Sequence, residues 1–280
     1  MSRHMVIRRF LGAVLGAVVA IDVQTVTAAA KAPFFMFTAW RFATADETSA
    51  IGAVLRRHVY GDDYLGVNVV LQFPDLASRI SRRHVYALPP NLAAVKHAAA
   101  SRCGVGAGLI VYDGEHWQQT PSDEQANMPK AIDRGKAVVH TGCRDYGIAP
   151  DGQYIGISTR ACRFDSGASI LPAIDWTGIT LFDIQAQRLL GADCIERAGV
   201  DAYVAAINSI ASDVRARSSF PKIVAQLSFR LTTPDKMIDA IKQLSGIVGG
   251  FYIAYPNNVG PPCSHCSPAN FDQVLQAIHQ

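Results

Sequence analysis

Short runs rich in β-branched and aromatic residues alternate along most of this chain with stretches of helical periodicity. That alternation limits the available folds more than any other feature. The candidate strands are 34–40, 67–73, 84–88, 109–113, 145–149, 179–183, 223–229 and 250–255. Helical patterns occupy 44–57, 75–82, 91–102, 122–141, 201–217, 234–244 and 268–279, so every strand but the fifth is followed by one. After the fifth, a Gly-containing irregular stretch runs to Asp175. Two helix starts are marked by hydroxyl residues, Pro and acids: Thr120-Pro121-Ser122-Asp123-Glu124 and Thr232-Thr233-Pro234-Asp235. Crossover helices return the chain to the same end each time, which forces a parallel sheet. The chain has 280 residues, and setting aside a leader of about 30 leaves the usual size of one (β/α)8 barrel. An open doubly wound sheet is the other fold for such a pattern, but no G-x-G-x-x-G follows the first strand. The expectation is a single (β/α)8 TIM-type barrel over residues 31–280, with no linker and no internal repeat.

The first 30 residues read as a secretory signal peptide. Arg8 and Arg9 precede an apolar run from Phe10 to Ile21, Asp22 breaks it, and Ala28-Ala29-Ala30 offers small residues for cleavage. Such a run is too short to cross a hydrocarbon core, which takes about 20 helical residues. The expected location is secreted or periplasmic, with no membrane association once the leader is removed. The formal net charge is +3. Because Arg3, Arg8 and Arg9 belong to the leader, the remainder is almost neutral, and no nucleic-acid footprint is present. A monomer without a cofactor is expected.

Export changes how the six cysteines read, since disulfides persist outside the cytoplasm. Cys263 and Cys266 form a C-x-x-C in a Gly/Pro-rich loop after the last strand, away from the strand-to-helix turn that redox motifs use. A local staple is the expectation. In a barrel, Cys103 and Cys143 would both end helices at the bottom face, and Cys162 and Cys194 would both follow strands at the top. Pairing Cys103 with Cys143 and Cys162 with Cys194 avoids bridges along the barrel's length, far beyond the ~7 Å Cα limit.

Active sites of such barrels lie at the C-terminal ends of the strands. The richest strand end is Leu109-Ile110-Val111-Tyr112-Asp113-Gly114-Glu115-His116-Trp117. Side chains alternate with period two, so if Val111 faces the interior, Asp113 and Glu115 face the mouth. Two carboxyl groups close together in a partly dry pocket cannot both ionise freely, and one retains its proton as a general acid. Glu115 is assigned that role, with Asp113 orienting it; the rival reading is that both merely cap the next helix or bond loop backbone. Asp183 or Asp151 stands as a nucleophile. Trp40 and Trp117 offer faces for a sugar ring to stack on, and Gln185, Gln187, Gln226, Tyr255 and Asn257 offer hydrogen bonds to hydroxyl groups. His116 points away from the acid pair by the same alternation. No metal site is expected, and no nucleophile elbow or phosphate loop is present.

Asp113-Gly114-Glu115 at the end of the fourth strand resembles the Asp-x-Glu that closes the signature of glycoside hydrolase family 18, the chitinase-like barrels. The resemblance implies that Glu115 is the proton donor and that Asp113 positions a substrate acetamido group which itself attacks the anomeric carbon. Gln185 and Tyr255 would be sugar-binding by analogy. The family carries a further Asp where this chain has Val111. Over a longer span the chain is similar to a group of uncharacterised exported bacterial (β/α)8 proteins. The likeness rests on Tyr112-Asp113-x-Glu115-x-Trp117, Thr120-Pro121-x-x-Glu124-Gln125, Asp183-Ile184-Gln185-Ala186-Gln187 and the Cys263-x-x-Cys266 tail. The expected function is cleavage of a glycosidic bond by carboxylate acid/base catalysis. The alternatives are a non-catalytic carbohydrate-binding barrel and a metal-dependent phosphodiesterase-type barrel.

Overall fold

In a computed structural model of the chain, residues 32–38, 44–100, 106–140, 144–158, 163–191, 199–255 and 263–280 are described. The proposed leader, Trp40, Asn257 and the four cysteines Cys103, Cys143, Cys162 and Cys194 lie outside the described residues. In chain order the strands are β1 (Phe34–Thr38), β2 (Tyr64–Gly66), β3 (Val85–Ala87), β4 (Leu109–Tyr112), β5 (Asp145–Ile148), a small antiparallel pair β6 (Ile157–Ser158) and β7 (Arg163–Phe164), then β8 (Ile179–Ile184), β9 (Lys222–Ser228) and β10 (Gly250–Ala254). All of these except β6 and β7 join in parallel, each beside its neighbour in sequence, and β10 returns to β1 with Met36 opposite Tyr252. The protein is a (β/α)8 barrel.

The helices are α1 (Ala45–His58), α2 (Val67–Gln72), α3 (Leu92–Ala100), α4 (Ser122–Ala126), α5 (Met128–His140), α6 (Val200–Arg217), α7 (Pro234–Leu244) and α8 (Pro268–Ile278). Helix α1 has its start signal in full. The Thr44 side chain accepts the Glu47 N–H at 3.0 Å, acids occupy the first turn, and Arg56, Arg57 and His58 the last. None of the helices among the described residues is long and apolar enough to cross a membrane.

The strands are buried on both faces, which is why they read as near-continuous apolar runs. Along β1, Phe34 and Met36 face the interior with Tyr64, Tyr86, Val111, Leu181, Val224 and Tyr252, while Phe35 and Phe37 join the layer between strands and helices. Inside the ring, β5 is narrow: a side chain at Gly147 would come within 3.1 Å of Leu181 Cβ and 3.3 Å of Val111 Cγ2.

Three expectations need correction. Residues 67–73 are not a strand; the second strand is Tyr64–Gly66 and the Val-rich run that follows is α2. Val69 on α2 is buried while Leu71 is exposed, and Phe73, Leu76 and Ile80 are buried in the turns that follow. The helix expected over 122–141 breaks at Asn127, whose non-helical backbone separates α4 from α5. The expected hydroxyl caps also fail: Pro121 and Thr233 hold the cap positions of α4 and α7 without a side-chain bond. The C-x-x-C is a local staple, Cys263 and Cys266 being joined as a disulfide with Cα atoms 5.3 Å apart.

Candidate active site

The interior face of the barrel turns polar one step beyond its apolar plug. Val111 on β4, Leu181 on β8 and Val224 on β9 fill the ring, and two residues further on stand Asp113, Asp183 and Gln226. A cavity of about 470 Å3 opens there, at the C-terminal ends of the strands. Its walls include Asp113, Glu115, Asp183, Gln185, Gln226 and Tyr252, with Trp117, Gln119, Leu88 and Arg230. A second cavity of about 340 Å3 lies beside it and shares Glu115, Gln185 and Arg230 with it. This lateral cavity continues past Asp151, Gln187, Arg188 and Ser228. Both volumes fall in the range of ligand sites.

Gln185 links the acids to the frame. Its side-chain N–H groups donate to Asp113 Oδ1 at 2.7 Å and to the Ala149 carbonyl at 2.8 Å. The bond to Ala149, the residue after β5, carries the Gln185 side chain past that strand toward β4. Thr120 organises the loop after β4. Its hydroxyl donates to the Pro90 carbonyl at 2.8 Å and accepts the Trp117 indole N–H at 3.1 Å and the Glu115 backbone N–H at 3.3 Å. Gly114 fits between the two acids because a Cβ there would lie 2.6 Å from Met128 Cε. Glu124 stands in the first turn of α4 as expected, and its carboxylate also accepts the Tyr112 hydroxyl at 2.7 Å and the Leu92 N–H at 3.0 Å, which caps α3.

Burial dominates the electrostatics. It raises the Asp113 carboxyl well above the ordinary range, with Glu115 and Asp183 adding repulsion and the Gln185 N–H opposing it. Glu115 is also raised, first by burial and then by Asp151, while Gln185 and Arg188 pull it down. Asp183 is 3% exposed and raised well above its ordinary value by burial and by Glu115. The Tyr252 and Tyr86 hydroxyls complete the floor, both raised by burial and by neighbouring carboxyls. Among the buried oxygens of this region, Asp183 Oδ1, Gln226 Oε1 and Gln187 Oε1 have no hydrogen-bond partner among the described residues. Buried polar atoms left open in a cavity wall suit a hydroxyl-rich ligand, because each unmet group costs about 1–3 kcal/mol.

The sequence-selected residues divide clearly. Asp113, Glu115, Asp183, Gln185, Gln226 and Trp117 line the axial cavity, and Gln187 lines the lateral one. His116 stacks on Tyr154 with ring centroids 3.8 Å apart, and its Nδ1 lies 3.2 Å from Asp151, away from the acid pair as expected. Tyr255 needs correction: its ring packs against Phe229 and Phe271 and its hydroxyl donates to Glu47 at 3.1 Å, so it belongs to the layer outside the barrel. The inward tyrosine of β10 is Tyr252, three residues earlier and on the opposite face. Sequence reading also passed over Tyr86, Arg188 and Arg230. Tyr86 followed from strand alternation alone; the two arginines stand close behind β8 and β9, where only acids, amides and hydroxyls were sought. Among the described residues, no group of three His, Cys, Asp or Glu is placed to hold a metal ion.

No protein-family model matches the chain, and no curated protein matches it. Among solved structures it is similar to a sugar phosphate isomerase/epimerase from Parabacteroides distasonis. That likeness has 11% identity and a TM-score of 0.48 and covers 90% of this chain and 96% of that one. It brings neither residues nor a reaction with it.

Proposed function

We propose that the protein is an exported hydrolase of glycosidic bonds, with Glu115 as the general acid. The observation that supports this most is the convergence of Asp113, Glu115 and Asp183 on one cavity at the strand ends, each carboxyl raised by burial. A carboxyl that keeps its proton toward neutral pH can deliver it to the departing glycosidic oxygen, a contribution of about 10²–10⁴ in rate. Asp113, held by Gln185, fixes the orientation of the acid or of the sugar beside it. Asp151 stabilises the positive charge that develops at the anomeric carbon, or attacks it, while Asp183, raised by burial, hydrogen-bonds the sugar. The open oxygens of Asp183 and Gln226 receive sugar hydroxyls, and the Trp117 face receives a ring.

Glu115→Gln keeps the shape and removes the proton. Turnover of an oligosaccharide panel should fall at least about 100-fold, while the thermal midpoint stays within a few degrees. Full activity in the variant refutes the assignment. A non-catalytic sugar-binding barrel is the second reading, favoured by Trp117 at the rim, which is 36% exposed and lines the same cavity. Retention on a glycan array without any product distinguishes it.

A further inference from the structure

Glu115 stands on the wall shared by two cavities of unlike charge. Among the described residues, the axial cavity collects Asp113, Asp183 and Glu115, with Arg230 as its single basic side chain. The lateral cavity has Arg188 and Arg230 as well as the open Gln187 oxygen. Its acids are Glu115, at the shared wall, and Asp151. Asp151 is already engaged: one oxygen accepts the His116 backbone N–H at 3.3 Å and faces its ring nitrogen at 3.2 Å, and the other accepts the Gln153 N–H at 3.3 Å. The lateral cavity therefore sets two guanidinium groups against two carboxyl groups, where the axial cavity sets one against three.

We propose that the lateral cavity is a subsite for a sugar unit bearing an oxyanion, a carboxylate or a sulfate ester, recognised by Arg188 and Arg230. This rests on the glycoside-hydrolase reading and deepens it. The substrate is then an acidic oligosaccharide laid across Glu115, with a neutral unit in the axial cavity and an acidic unit beside it. The axial wall offers an anion three carboxyl groups and one guanidinium, the lateral wall two of each, and guanidinium groups bind carboxylate and sulfate oxygens through paired N–H donors. Both arginines also have partners within the protein; the argument needs only the sign of their charge in the cavity. The oxyanion takes no part in bond cleavage and serves to set which polymer is accepted and in which direction it lies.

Calorimetry on the Glu115→Gln protein tests this without turnover. The probes are a hyaluronan tetrasaccharide for the carboxylate, a chondroitin 4-sulfate tetrasaccharide for the sulfate, and chitotetraose as the neutral control. At least one acidic probe should bind ten-fold or more tightly than chitotetraose, and adding Arg188→Gln or Arg230→Gln should abolish that preference. Both arginines are exposed, so these variants should retain the thermal midpoint of their parent, which the same samples report. Equal or tighter binding of chitotetraose overturns the acidic subsite and leaves the hydrolase reading intact. A preference that survives in both arginine variants also overturns it. Absence of binding by any probe counts against both readings. Tight acidic binding by the arginine-dependent route, with no product from the parent enzyme, supports the subsite and removes hydrolysis.

Discussion

Gln185 and Asp113, 72 positions apart in sequence, are joined by a 2.7 Å hydrogen bond that runs from the end of β8 past β5 to the end of β4. The donor is an amide, so the bond favours the charged form of a carboxyl that burial otherwise keeps protonated. Gln185→Ala should therefore raise Asp113 further and cost about 1–2 kcal/mol of stability. A carbon-13 NMR titration of the Asp113 carboxyl reads the first effect and chemical denaturation the second. An Asp113 midpoint that stays put or falls contradicts the role given to Gln185.

Asp113, Asp183 and Glu115 are all raised, which fixes how stability depends on pH. Each binds its proton more tightly in the folded state than in the unfolded chain, where carboxyl groups titrate near 4. Their contribution is present below about pH 4 and is lost as pH rises through the folded values. Asp183→Asn removes one of these groups. Its stability advantage over the parent should be small at pH 4 and grow steadily to pH 8 in urea unfolding. An advantage that shrinks with rising pH would show that Asp183 is stabilised as an anion.

Two glycines flanking β4 should differ sharply in tolerance. A Cβ at Gly108 would run into the Arg82 carbonyl oxygen and lie 2.6 Å from Arg83 Cα, which are backbone atoms that cannot turn aside. At Gly114 the obstacle is the thioether end of Met128, at 2.6 Å and 2.7 Å, which can. Gly114→Ala should cost about 1–3 kcal/mol and Gly108→Ala more. In a double-mutant cycle, Met128→Ala combined with Gly114→Ala should be less destabilised than the two single changes added together. Strict additivity would mean that the clash is relieved elsewhere.

Glu124 holds three segments together, since its carboxylate serves Tyr112 on β4 and the first N–H of α3 from a position on α4. Glu124→Ala leaves a buried hydroxyl and a helix N–H unmet and should cost about 2–4 kcal/mol. Glu124→Gln keeps one acceptor oxygen and should cost clearly less. Thermal unfolding of the two variants side by side checks the order, and equal losses would place the effect in packing rather than hydrogen bonding.

The acid pair was legible because Val111, Asp113 and Glu115 share one parity along a strand whose direction the alternating pattern fixes. Tyr255 enters only as a polar residue at a strand end, and 67–73 only as a run rich in β-branched residues, with parity applied to neither. At β10 the decisive signal was present: Tyr252 has the parity of the inward residues. Composition of a short run outweighed spacing, and spacing is what reports a buried face.

Sequence alone determined the order of strands and helices, the barrel they close into, and the strand end that carries the acids. These follow from periodicities of two and 3.6 residues and from the handedness of crossovers, which act between near neighbours. What only the tertiary structure decided is which groups meet: Gln185 on Asp113, Glu124 under Leu92, the arginines behind β8 and β9 beside Glu115. Those contacts join residues far apart along the chain, such as Glu124 with Leu92 and Gln185 with Asp113, and their side chains meet only once the ring is closed. No local pattern encodes them, because periodicity reports which face a residue occupies and not what it touches across the barrel.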